Sequence, residues 1–204
     1  MIVATQSKYF TPEEYLELEE QAEFKNEYLD GEIVPMAGAT ANHNKISLNF
    51  CRSFPLSIDE KDYDIFMSDM RLWIPSYRRY TYPDVMMTDG EPIFTDEKQT
   101  AIINPCLIVE ILSRSTKDYD KTDKFKKYRS IASFQEYILI SQTSYNVEQY
   151  TKREDGRWLL TEYLEEDSRL KLEAVNFEIA LKDLYKRVNV DLENPNLENS
   201  NPEL

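Results

Sequence analysis

The run Cys106-Leu107-Ile108-Val109-Glu110-Ile111-Leu112 constrains this chain more than any other stretch. Six apolar residues around one carboxylate, in so short a segment, read as a strand covered on both faces. Alternation puts Glu110 on the same face as Ile108 and Leu112, so its carboxylate is expected to point into apolar surroundings. The alternative is that this face meets solvent. A buried, unpaired carboxylate is destabilising by several kcal/mol, so a cation, a basic partner or a shared proton has to offset it.

The flanking sequence suggests how such a strand is surrounded. Residues 11–23 open with Thr-Pro-Glu-Glu, an N-cap, a proline suited to the first helical position and a capping-box glutamate. Tyr15, Leu16 and Phe24 supply a modest apolar face. Glu27 to Val34 reads as strand, Asp30-Gly31 turn, strand. Residues 41–58 read as a helix with Ile46, Leu48, Phe50, Cys51 and Phe54 as its apolar positions, ended or kinked at Pro55. Residues 63–74 and 80–88 each read as one strand, joined to the central run by a polar connection over 89–104. Residues 116–130 form a basic helix capped near Ser115 or Thr116. Residues 136–141 are a further apolar strand, 146–152 and 157–164 a hairpin across Glu154-Asp155-Gly156, and 178–187 a last helix. Alternating helices and strands argue for an α/β sheet with helices on its faces, and the hairpins make that sheet mixed. The expected organisation is one domain over residues 1–188 and an acidic, disordered tail over 189–204.

Bulk properties exclude several function classes. No apolar run approaches the roughly 18 residues needed to cross a bilayer, and the start MIVATQSKYF is unlike a signal peptide. The expected setting is therefore the cytoplasm, with no membrane partner. Cys51 and Cys106 sit in apolar contexts and read as buried small hydrophobes; with one histidine and no CxxC pair, structural zinc is not expected. The formal net charge of -14 argues against tight binding to phosphate backbones. It leaves room for a nuclease whose carboxylates hold divalent cations. Residues 117–129 run against this trend, with six basic residues against three acidic, and are the natural phosphate-facing surface.

Other residues pose the same question as Glu110. Asp84, after Pro83 at a strand start, is either a turn aspartate or a carboxylate converging with Glu110 from the same sheet. Two hard oxygen ligands with waters or phosphate suit Mg²⁺ or Mn²⁺. Asp120, Lys124 and Tyr128 fall at i, i+4 and i+8, so one helical face carries all three and Lys124 can reach back to the preceding strand. Lys121 competes for that role, and a solvated basic face is the plain alternative. Glu27 precedes the first turn. His43, the only histidine, sits near a helix start as either a structural residue or an acid–base or phosphate contact.

Together these residues resemble the Uma-two family, a large bacterial family of restriction-endonuclease-like proteins. The resemblance runs from about Thr11 to Val188. It is carried by FTPEEYLELEE, EYLDGEIVPMAG with the following His43, YPDVMM, IVEILSRSTKDYDKTDKFKKY and EYILI. That family in turn resembles the PD-(D/E)XK nuclease superfamily, which implies a restriction-endonuclease-like mixed β-sheet flanked by helices. Carried over by position, Asp84 matches the PD aspartate and Glu110 the acid of the second element, both as metal ligands. Glu27 matches a glutamate often supplied from near the first helix, which would join the metal site as a further ligand or tune it. The chain departs from the superfamily two residues after Glu110, where Leu112 replaces the motif lysine; Lys124 matches the lysine that the Uma-two family places on the following helix. The resemblance implies a Mg²⁺-dependent (or Mn²⁺-dependent) endonuclease that hydrolyses phosphodiesters in DNA and works as a homodimer, and the net charge of -14 implies that it binds DNA weakly. The alternative is a nuclease fold without turnover serving as a binding or regulatory module, which Leu112 favours. A small-molecule hydrolase is less well supported, since no GxSxG elbow is present.

Overall fold

The computed structural model describes residues 8–55, 57–113 and 120–190. Helix α1 spans Pro12–Glu19 and opens with the expected capping box: the Glu14 amide donates to Thr11 Oγ1 at 3.2 Å and the Thr11 amide to Glu14 Oε2 at 2.8 Å. Tyr15 is its buried anchor. Phe24, expected on the same face, is exposed because the helix stops five residues earlier. Strands β1 (Asn26–Leu29) and β2 (Glu32–Pro35) close over Asp30 and Gly31, both at positive φ, as a tight hairpin turn requires. Helix α2 spans Ala41–Ser53 and ends before Pro55; Ile46 and Phe50 are buried, while Leu48 points outward.

Both stretches expected to be single strands are divided, and each division moves the chain from one sheet to another. Residues 63–74 give β4 (Lys61–Met67) and β5 (Arg71–Ile74), separated by a turn in which the Met70 amide donates to the Met67 carbonyl. Residues 80–88 give β6 (Arg79–Thr81) and β7 (Val85–Asp89), separated at Pro83, which has no amide to continue a ladder. With β3 (Ser57–Ile58), β8 (Ala101–Ile102), β9 (Leu107–Leu112), β10 (Glu136–Ser141), β11 (Val147–Lys152) and β12 (Trp158–Tyr163), these strands build two sheets. The larger runs β12-β11-β10-β9-β7-β4-β3, with β9 and β10 parallel and the other neighbours antiparallel; the smaller runs β2-β1-β6-β5-β8. The polar connection expected over 89–104 thus contributes a short strand.

Strand β9 is buried along its whole length, as its composition requires. Val109 and Ile111 face a core shared with Ile46 and Phe50 of α2. Ile108 and Leu112 face a second core, shared with Leu72 and Ile74 of the small sheet and with Phe125 and Tyr128. The latter pair belongs to the short helix α3 (Phe125–Tyr128), which continues a single π turn, Asp120–Lys124. The cap expected at Ser115 or Thr116 and most of the acidic tail lie outside the described residues. Residues 169–180, for which no strands were expected, form the hairpin β13 (Arg169–Leu172) and β14 (Phe177–Ala180), and the last helix shrinks to the single turn α4 (Leu181–Leu184). The alternation Leu170, Leu172 and Ile179, all buried, is what places that hairpin on the α2 side of the sheet.

Two glycines separate conformational need from mere presence. Gly31 has φ +104° and lies against the Tyr9 ring, whereas Gly38 has open space around it. Gly31→Ala is expected to lower stability by at least about 1 kcal/mol, since φ > 0 is strained for any side chain. Gly38→Ala is expected to be near neutral. Chemical denaturation of the two variants checks the contrast.

Candidate active site

The site forms where the chain crosses from the small sheet to the large one. Residues Tyr82, Pro83 and Asp84 make that crossing, between the end of β6 and the start of β7. Val85 pairs with Val109 across β7 and β9, so the register carried one residue further sets Asp84 opposite Glu110. Asp84 is fixed from two directions. Its Oδ2 accepts the main-chain amide of Ile111 at 2.7 Å, and its Oδ1 stands 2.9 Å from His43 Nε2. His43 lies in the first turn of α2, where its own amide donates to the capping Thr40 hydroxyl; its Nδ1 has no partner among the described residues.

Glu110 is only 3% exposed, which removes the solvent-facing alternative. Its Oε1 accepts the Lys124 ammonium at 3.0 Å and the Tyr128 hydroxyl at 2.7 Å. Lys124 also pairs with Asp120 at 3.2 Å. Asp120, Lys124 and Tyr128 therefore do share one face, and that face is turned inward onto β9. Lys121 points elsewhere, to Glu148 on β11.

Glu27 lies nearby but is engaged separately. Its Oε2 accepts Arg79 Nη2 at 2.8 Å and its Oε1 accepts the Thr81 hydroxyl. Arg79 is almost fully buried and extends toward Asp123, 3.9 Å away, which in turn pairs with Lys127. Nothing in the string Ser76-Tyr77-Arg78-Arg79-Tyr80 marks Arg79 as interior. The available signal was alternation: Arg79 and Thr81 share a face of β6, and β6 pairs with β1, which carries Glu27.

Burial dominates the electrostatics. It pushes the Glu110 carboxyl up to about 8; Asp84 and Asp120 add to this effect, while Lys124 and Tyr128 oppose it. Burial also works against the Lys124 charge, but Glu110, Asp120 and Glu27 outweigh it, so its pKa lies well above the ordinary lysine value. Burial raises Tyr128 too, keeping it a hydroxyl donor. The cluster thus holds more acid than its one lysine neutralises. Among the described residues, no three His, Cys, Asp or Glu side chains stand together as a ready cage for an ion. Glu27 is held by Arg79, and Asp120 by Lys124. Asp84 and Glu110 remain, with Glu110 Oε2 accepting no hydrogen bond among the described residues. Two carboxylates are the usual protein share of a magnesium site, the rest being water and phosphate.

The raised Glu110 pKa has a defined signature. Between pH 4.5 and about 8 the folded protein keeps a proton that the unfolded chain has lost. The associated stability is fully present below 4.5 and is lost as pH rises through about 8. Glu110→Gln, which fixes the neutral form, is expected to gain on the wild type across that window by up to a few kcal/mol, at roughly 1.4 kcal/mol for each pH unit crossed. Denaturation midpoints of both proteins across that pH range check this; a constant difference would contradict a protonated Glu110.

The family model Uma2, described as "Putative restriction endonuclease", matches residues 12–182. The uncharacterized protein sll1609 of Synechocystis sp. is 51% identical over 171 residues, covering 84% of this chain and 96% of its own length. A second Synechocystis sp. protein, slr1290, is 40% identical over 177 residues, covering 86% and 91%. Among solved structures, a "putative nuclease belonging to DUF820" from Anabaena variabilis superposes with a TM-score of 0.65 at 20% identity, covering 86% of this chain and 97% of that one. The chain belongs to the Uma2 family and has the restriction-endonuclease-like fold.

Proposed function

We propose that the protein is a Mg²⁺- or Mn²⁺-dependent endonuclease that hydrolyses phosphodiester bonds in DNA. The observation that carries this reading is the convergence of Asp84, Glu110 and Lys124, from a sheet crossing, a central strand and a helix, on one spot. The descriptions of the Uma2 family and of the Anabaena protein support a nuclease.

Asp84 and Glu110 would hold the ion, which when bound supplies Lewis acidity toward a phosphate oxygen and toward water. The chain's own residues supply the rest. His43 and the Ile111 amide orient the Asp84 carboxylate. Tyr128 holds Glu110 Oε1, so Oε2 would be the oxygen offered to the ion. Lys124 stays protonated, so it acts as a fixed positive charge and donor toward the phosphate rather than as a base. Glu27 tunes the site through Arg79. Lys126 and Arg129 are exposed next to this cluster and would meet the flanking backbone. The net charge of -14 makes that contact weak and salt-sensitive. A homodimer working in the cytoplasm completes the proposal.

The second reading, a binding module without turnover, is favoured by Leu112, which is buried at the position of the superfamily's lysine. Plasmid cleavage with Mg²⁺ or Mn²⁺ separates the two. Wild-type protein is expected to cut only with metal. Asp84→Ala is expected to abolish cutting, and Lys124→Ala to slow it by on the order of 10²–10³. A folded wild type that gains thermal stability from neither ion and cuts no DNA would favour the binding module.

A further inference from the structure

Three of the four edges of the two main sheets are protected. Strands β3 and β8 are two residues long, and β2 is four residues ending in Pro35. The fourth edge, β12, pairs with β11 without a bulge over six residues, contains no proline and has one charge, Glu162. Leu159, Leu160 and the adjacent Leu164 are exposed. A long, flat, apolar edge of this kind is what isolated chains normally avoid.

The free hydrogen-bonding row of β12 can be identified. The Arg153 amide donates to the Arg157 carbonyl at 2.8 Å, which makes that pair a hydrogen-bonded one. Pairs alternate along an antiparallel ladder. Leu159, Thr161 and Tyr163 therefore bond inward to β11, while the amides and carbonyls of Trp158, Leu160 and Glu162 point outward. No backbone bond reaches that outward row among the described residues.

We infer that β12 pairs antiparallel with β12 of a second copy of this chain, with Thr161 on the two-fold axis. The inference deepens the proposed homodimer by naming its interface. Centring the pair on Thr161 sets Trp158 against Leu164, Leu159 against Tyr163, Leu160 against the Glu162 side chain, and Arg157, which also pairs with Asp155 of its own chain, against Glu165. Centring it on Glu162 would place that carboxylate against its own copy, a destabilising arrangement. Self-complementarity under a two-fold is the reason to choose a second copy over an unrelated strand. The axis stands perpendicular to the sheet at Thr161, and the ordinary strand twist of roughly 20–25° per step turns the two copies of Glu110 away from each other along the joined sheet. Strand β9 is fourth from this edge, so seven strand spacings separate the two, on the order of 34 Å.

The test is the mass of the full chain in solution, with edge variants. Wild type is expected to sediment as a dimer at micromolar concentration, more completely as added salt screens the -14 charge of each copy. Leu160→Pro removes only an outward amide and is expected to halve the mass. Thr161→Cys is expected to form an inter-chain disulfide on mild oxidation, because each copy faces its own counterpart there. Leu159→Cys, which faces Tyr163, is not. A monomer at every concentration and salt, or a dimer that survives Leu160→Pro while Thr161→Cys fails to cross-link, would overturn the interface. None of these measurements depends on cleavage, so a dimer that cuts no DNA would leave the interface standing and count against the nuclease alone.

Discussion

The buried hydrogen bond from Lys124 to Glu110 is the interaction on which the rest of the structure depends. A carboxylate in the middle of a buried strand can be tolerated only if something else reaches into that core to meet it. Here the partner comes from a different element, so the helix carrying Lys124 has to lie against the large sheet. Asp120 and Tyr128 complete that contact, and Phe125 packs with Tyr137, Tyr150 and Trp158 beneath it. Lys124 is shared with Asp120 and Glu110 also accepts the Tyr128 hydroxyl, so this short helix is tied to the chemistry and to the core at once.

The second constraint is the double crossing between sheets. The turn after Met67 and the break at Pro83 each carry the chain from one sheet to the other. The face of the small sheet that bears Leu72 and Ile74 closes over the same core as Ile108 and Leu112. Its other face is covered by α1, where Tyr15 stacks on Tyr28 and Tyr80 with ring centroids 5.4 Å apart in each case. Asp84 sits at the crossing because that is where a strand ladder is interrupted and a side chain can accept a main-chain amide in its place.

Much of this was legible in the residues. A charge among six apolar neighbours identified Glu110, and i, i+4, i+8 spacing brought Asp120, Lys124 and Tyr128 to it. Spacing alone could not choose between Lys121 and Lys124, since the choice depends on where the helix docks. The divided strands were hard to read because the partial alternation over residues 63–74 resumes at Met70 after Ser68-Asp69, and only pairing partners reveal a change of sheet. Arg79 was missed because arginine is rarely interior, and its burial depends on Glu27, fifty-two positions earlier. The β13–β14 hairpin was missed because its four-residue strands are too short for periodicity to register.

The hydrogen bond from the Ile111 amide to Asp84 has a consequence for how the sequence can vary. An amide is present whatever side chain position 111 carries, proline excepted. The separation of the two acids is therefore set by a strand ladder and by one bond to the main chain. It does not depend on the identity of the neighbouring apolar residues. Val109 and Ile111 can drift among side chains of similar volume while the two carboxylates keep their distance, and the positions free to diverge lie directly beside those that are not.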